Sequence, residues 1–285
     1  MKHRRPWKMV VALTAVVFSW DYPPRIAAAS AVSPHGASDD PATPAATTGR
    51  QAASCDANKF RLAIDVGHTI EAPGATSARG VSEYVYNLRL AKLIEADLKT
   101  AGFANTDLMI TNGVGRSQLK QRSARANAGR VDLFVSIHHD DVQPSYYRQW
   151  DYDGKAYHFS DKFAGYSIFV SYENRHKAES LDFSERLAAE LMARGLHFTT
   201  HHAEDIPGER RQFLDPQRGI YRYDQLVVLK TTDAPAVLLE AAVIVNRDEE
   251  ASLAERHAKI GDAVLQAIKQ YCAEQQTKPA RQLGP

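Results

Sequence analysis

An α/β fold is predicted, a single layered domain with a largely parallel or mixed sheet flanked by helices. Three observations predict it. Short apolar, β-branched runs alternate along the chain with segments of helical period. No internal repeat breaks that order. The 285 residues, 24% of them charged, suit one domain plus extensions.

The elements follow in order. "FRLAIDVGH" (60–68) alternates apolar residues and ends in Gly-His, a strand. Between Val81 and Ala101, Val85, Leu88, Ala91, Ile94 and Leu98 recur at three and four, and Gly102 stops the helix. "DLMIT" (107–111) predicts a short strand, "QLKQRSARANAGR" (118–130) a second helix, and "DLFVSIHH" (132–139) a strand. Asp140 to Ala164 is polar and aromatic and predicts a loop or insertion. "YSIFVSYE" (166–173) is a strand and "LDFSERLAAELMARG" (181–195) a helix. Phe198 to Arg222 shows no regular period. "QLVVLK" (225–230) and "PAVLLEAAVIV" (235–245) predict two more strands, and Asp248 to Tyr271 one long helix with an acidic start.

The ends carry other signals. Lys2, Arg4, Arg5 and Lys8 precede the apolar run Met9 to Trp20, and Ala27-Ala28-Ala29 follow. That layout predicts a signal peptide over residues 1–29, with an uncleaved anchor as the rival and no stable membrane span after cleavage. Arg4-Arg5 hints at twin-arginine export, but its flanks suit the general route better. Cleavage removes five basic residues and one acidic, leaving a mildly acidic exported chain. Residues 30–54 are Ala, Ser, Thr and Pro without apolar period, a disordered linker. The folded domain is expected at 55–273 and a tail at 274–285. Cys55 and Cys272 stand at the two edges of the ordered region, placed for a disulfide after export; two unrelated thiols are the alternative. The formal net charge of +1 and the lack of a basic block exclude nucleic acid as the main partner.

Candidate chemistry gathers at strand ends, where open α/β sheets bind ligands. His68, His138 and His139 end two predicted strands, and Glu83 opens the helix after the first. Two histidines and a carboxylate with a free fourth position suit catalytic zinc, although their spacing is not a short contiguous motif. Taken singly, each histidine also suits a hydrogen-bonded surface role, and Glu83 a helix N-terminus. Adjacent strand residues face opposite ways, so His138 and His139 are not both ligands. Glu240 is the anomaly, a carboxylate inside "PAVLLEAAVIVN". Burial there is costly unless the group is paired or protonated. It is either salt-bridged to an Arg or Lys, or a general base beside a metal.

Four ordered blocks carry a resemblance: "IDVGHTIEAPGA", "SEYVYNL", "LKQRSARANAGRVDLFVSIHHD" and "PAVLLEAAVIVNRDEEASL". Together, from Phe60 to Tyr271, the sequence resembles the zinc-dependent N-acetylmuramoyl-L-alanine amidases of the type 3 class. The resemblance implies His68, Glu83 and His138 as ligands of one zinc ion per chain and Glu240 as the catalytic glutamate. It implies hydrolysis of the amide between N-acetylmuramic acid and L-alanine in peptidoglycan, in cell-wall remodelling or daughter-cell separation. Location in the periplasm is implied, or in the cell wall if no outer membrane exists. Peptidoglycan is then the partner, an activator protein is a candidate partner, and a monomer is expected. Thr69-Ile70, His139-Asp140 and Ala241-Ala242 depart from the family pattern and bear on substrate detail. The alternatives are a related zinc peptidase or deacylase, or a non-catalytic peptidoglycan-binding regulator.

Two stretches exceed a minimal amidase. Residues 140–164 carry Tyr146, Tyr147, Trp150, Tyr152 and Tyr157, suited either to glycan faces or to packing the loop down. Residues 198–222 carry His201, His202, Glu204 and Asp205, for which a solvated polar loop is expected ahead of a second metal site. Neither has the long helical period of an occluding helix.

Overall fold

The computed structural model describes residues 55–277. The expected leader and linker, and residues 278–285 of the tail, lie outside the described residues.

Alternating strands and helices build one mixed sheet. In chain order come β1 (Leu62–Val66), α1 (Glu83–Thr100), β2 (Thr106–Met109), α2 (Gly115–Ala128) and β3 (Leu133–Asp140). A hairpin, β4 (Arg148–Tyr152) and β5 (Lys155–Phe159), precedes β6 (Ser167–Val170) and α3 (Lys177–Ala193). Then follow β7 (Gln212–Asp215), β8 (Ile220–Arg222), α4 (Val227–Thr231), β9 (Ala236–Val243), α5 (Arg247–Ala251) and α6 (Leu253–Thr277). Among the described residues the main sheet has seven strands in the order β2-β1-β3-β9-β6-β8-β7. Neighbours from β2 to β9 are parallel, β6 runs antiparallel to β9, and β7 antiparallel to β8.

Strand alternation sorts the core onto two faces. Leu62, Ile64, Leu133, Val135, Val237 and Leu239 pack with Leu90, Ile94 and Leu98 of α1, Phe183 and Leu187 of α3, and Ile260 and Val264 of α6. Ala63, Phe134, Ala236 and Leu238 form the other face with Met109, Ala126, Val228 and Leu229. β3 and β9 are buried on both faces, which explains their nearly unbroken apolar runs.

Four expectations need correction. "QLVVLK" is a helical turn, α4, not a strand. Its buried pair Val228-Leu229 packs toward α2 while the Thr231 and Thr232 hydroxyls bond the Val227 and Val228 carbonyls. Asn174 then collects the carbonyls of Leu229, Thr232 and Ala234, satisfying the turn's C-terminal end.

Residues 140–164 are not merely a loop but contain the β4–β5 hairpin. Asp153 and Gly154 both have positive φ, 51° and 71°, which suits a two-residue Asp-Gly turn. Its aromatics pack inward in part: Trp150 donates to the Ala78 carbonyl at 2.7 Å and stacks on Tyr152. Residues 198–222 are not irregular throughout, because β7 and β8 extend the sheet. The final helix is two, α5 and α6, parted at Ser252. Asn246 caps α5 by accepting from the Asp248 and Glu249 amides.

Cys55 and Cys272 form a disulfide that joins the start of the described chain to α6 across 217 residues. Closing so long a loop restricts the unfolded chain by roughly 5 kcal/mol in the entropy model, commonly 2–5 in practice. Cys55→Ser should therefore lower stability by about 2–5 kcal/mol in denaturant titration, and reduction should do the same to the native chain. An unchanged midpoint after either treatment would show that the bond does not stabilise the fold.

Candidate functional site

The carboxyl ends of β1 and β3 bring His68 and His138 together with Glu83. The Glu83 Oε2 lies 2.9 Å from His68 Nε2, and Oε1 lies 3.0 Å from His138 Nδ1. One donor atom from each residue sits within 4.8 Å of the others. The chain departs from regular geometry to achieve this. After Gly67, His68 takes φ 65°, a left-handed conformation rare for a residue with a side chain.

Arg122 holds that turn. It is buried, pairs with Asp65 at 2.9 Å, and donates to the carbonyls of Val66 and His68. Gln118 accepts from its Nε at 2.7 Å, and Ser136 donates to the other Asp65 oxygen at 2.7 Å. The guanidinium thus satisfies strand-end carbonyls and fixes where His68 emerges.

Glu83 is the first residue of α1, and its carboxylate is nearly covered. Asn87, one turn later, donates to Glu83 Oε1 at 3.0 Å and to the Gly67 carbonyl at 3.1 Å. The His139 amide donates to Oε1 and the Ala75 amide to Oε2. Burial alone would raise this carboxyl. The hydrogen bonds and charges of His138 and His68 outweigh it and hold the group well below the usual carboxylate range. Burial likewise works against a proton on His68, but Glu83 carries its pKa upward.

Two glycines leave room for the His138 and Glu83 side chains. A Cβ on Gly67 would sit 2.4 Å from His138 Nε2, and one on Gly74 would sit 2.2 Å from Glu83 Oε2. Two imidazole nitrogens and a carboxylate oxygen form a donor set that fits zinc.

His139 points to the opposite face, as alternation predicts. Its Nδ1 donates to Asn87 Oδ1 at 2.7 Å, which leaves Nε2 to accept from His257 Nε2 at 2.9 Å. Burial first, then the nearness of His257, pushes its pKa well down.

Glu240 pairs in register with His138 on the neighbouring strand and with Ser167 on the other side. No Lys or Arg among the described residues pairs with it, and its Oε2 is buried without a hydrogen-bond partner. Burial, then the charges of Asp140 and Glu83, push its carboxyl well above the usual range. A basic carboxylate poised beside the histidine cluster can take and return a proton.

The 198–222 stretch is not a solvated loop at its histidines. His201 and His202 are buried, and both turn toward Asp140, just past a register shift in β3. Burial opposes a proton on His202, but Asp140 and Glu209 push it up to about 9. Glu204 instead meets Tyr146 and Lys162, and the exposed Asp205 meets Arg210. Arg122, Asn87 and Asp140 carry no assigned role in the sequence alone. The Arg and Asn lay inside the motifs already noted; Asp140 showed only as a departure from the family pattern.

A family model described as N-acetylmuramoyl-L-alanine amidase matches residues 62–270. The chain is 26% identical over 253 residues to the N-acetylmuramoyl-L-alanine amidase AmiC of Escherichia coli, covering 77% of this chain and 54% of that protein. The chain thus spans about half the length of that curated relative. Its fold is similar to the crystal structure of the N-acetylmuramyl-L-alanine amidase Ami1 of Mycobacterium smegmatis. The TM-score is 0.57 at 18% identity, covering 76% of this chain and 99% of that one. The CwlD amidase of Clostridioides difficile, solved in complex with the GerS lipoprotein, gives 0.53 at 19%, covering 74% and 98%.

Arg122→Ala leaves Asp65 buried and unpaired and should cost about 3–5 kcal/mol in denaturant unfolding. A loss below about 1 kcal/mol, the scale of an exposed pair, would contradict the role given to Arg122. Gly67→Ala should leave the circular-dichroism spectrum intact and weaken zinc binding by about 10–100-fold, the scale of disturbed ligand support. Unchanged affinity would show that His138 does not need that space.

Proposed function

The chain belongs to the N-acetylmuramoyl-L-alanine amidase family, and on that premise we propose that it hydrolyses the amide between the lactyl group of N-acetylmuramic acid and L-alanine of peptidoglycan stem peptides. The observation that carries the reading is the convergence of His68, Glu83 and His138 within 4.8 Å, with Glu240 in register beside His138.

His68, Glu83 and His138 would hold one zinc ion. When bound, zinc supplies a Lewis acid that polarises the amide carbonyl and lowers the pKa of water toward ~7. The residues of the chain do the rest. Asn87 and the His139 amide keep Glu83 oriented toward both imidazoles. Arg122 anchors the turn that carries His68. Glu240 accepts the proton of the attacking water and delivers it to the leaving amine nitrogen. Its raised pKa, caused chiefly by burial, suits both acceptance and return.

The remaining assignments accompany this reading. Residues 1–29 act as a signal peptide, residues 30–54 as a linker, and 55–273 as the catalytic domain, followed by a short tail. Export to the periplasm, or to the cell wall where no outer membrane exists, suits the Cys55–Cys272 bond. No helix among the described residues is long and apolar enough to cross a membrane. An activator protein is a candidate partner on this reading.

Digestion of purified peptidoglycan should release peptides with free L-alanine amino termini and leave intact muramic acid on the glycan, as read by mass spectrometry. New termini elsewhere in the stem would move the assignment to a peptidase. Glu240→Gln should retain zinc and lower kcat by about 10²–10⁴-fold. Full activity in that variant, or in chelated metal-free protein, would overturn the mechanism.

A further inference from the structure

A second group of donor atoms lies beyond the proposed zinc site. Asp140 Oδ2 is 2.8 Å from His202 Nε2 and 3.4 Å from His201 Nε2. One donor atom from each residue lies within 4.8 Å of the others. All three residues are buried, His201 to 1% exposure.

The outer nitrogens of both rings are already committed. His202 Nδ1 faces Glu209 Oε2 at 3.0 Å, and His201 Nδ1 faces Thr199 Oγ1 at 2.8 Å. Gln143 in turn donates to the other Glu209 oxygen at 2.6 Å. Both Nε2 atoms therefore converge on one carboxylate oxygen. Metal-bound imidazoles have this arrangement, with Nδ1–H given to an outer acceptor and the Nε2 lone pair turned inward.

A hydrogen-bonded triad explains the geometry less well. His202 Nε2 makes a hydrogen bond to Asp140, but His201 Nε2 has no hydrogen-bond partner although it is buried. An unsatisfied buried nitrogen aimed at a carboxylate is costly unless a further group lies between them. A cavity of about 240 Å³ opens beside Asp140 and His202. Glu209 and Glu240 also line it, and Glu240 Oε2 is itself buried without a hydrogen-bond partner.

We propose that Asp140, His201 and His202 form a second divalent-cation site, of the class that takes zinc or a similar transition metal through two imidazole nitrogens and one carboxylate oxygen. Glu209 and Thr199 orient the imidazoles. The cation ties the turn at His201–Ala203 to the end of β3, across the cavity from which Glu240 is reached. The site stands independently of the reaction assigned to the first.

The test is zinc stoichiometry. The mature chain is stripped with chelator, dialysed against zinc at low free concentration, and measured by elemental mass spectrometry and calorimetric titration. Wild type should hold about two zinc ions per chain, one for each three-ligand set. His202→Ala and the near-isosteric Asp140→Asn should each hold about one, as should His68→Ala. Loss of one equivalent in the Asp140 and His202 variants supports the second site even if His68→Ala loses none. A single equivalent in wild type that His68→Ala loses overturns the proposal, whether or not the Asp140 and His202 variants fold. Two equivalents retained in folded Asp140→Asn and His202→Ala overturn it equally.

Discussion

Three carboxylates, those of Glu83, Asp140 and Glu240, crowd one end of the β3–β9 strand pair where water is largely excluded. Charge so concentrated must be balanced by protons, imidazoles or metal ions. Glu83 stays ionised because His68 and His138 flank it and three N–H groups point at it. Asp140 stays ionised because His202 outweighs its burial. Glu240 has no such partner, so its carboxyl is pushed up instead. Neighbouring carboxyl groups are thus pushed apart, two held charged and one made to hold its proton more tightly.

Much of the surrounding architecture follows from keeping those groups in place. The left-handed turn at His68 is sustained by a buried arginine whose own charge Asp65 balances. The register shift between His138 and Asp140 lets one strand serve two clusters. His139, between them, turns to the opposite face and binds Asn87, which in turn holds Glu83. Consecutive residues of one strand thus supply an inner donor and the support of its partner.

The fold class, the parallel strands β1, β2, β3 and β9 and their helices were legible because apolar period and strand alternation are local properties. So was Glu240, since a carboxylate in an apolar strand is conspicuous in one dimension. The failures had separate physical causes. Val227 to Leu229 carry β-branched residues, yet their packing against α2 and the carbonyl acceptors of Asn174 favour a helical turn, and propensity gives way to tertiary contact. The β4–β5 hairpin did carry a local signal, Asp153-Gly154, inside a stretch otherwise marked by its aromatics. The cluster of Asp140 with His201 and His202 spans some sixty residues and has no signature in spacing. Arg122 is similar, because a helical arginine looks solvated until the strand ends it satisfies are known.

On the proposed reading, the chain's own donors at the ends of β1, α1 and β3 select a metal ion. Anomalous diffraction at the zinc edge, from crystals of the zinc-loaded protein, tests it most directly. The expected result is a peak enclosed by His68 Nε2, the Glu83 carboxylate and His138 Nδ1. A fully loaded crystal with no peak among those three atoms would contradict it.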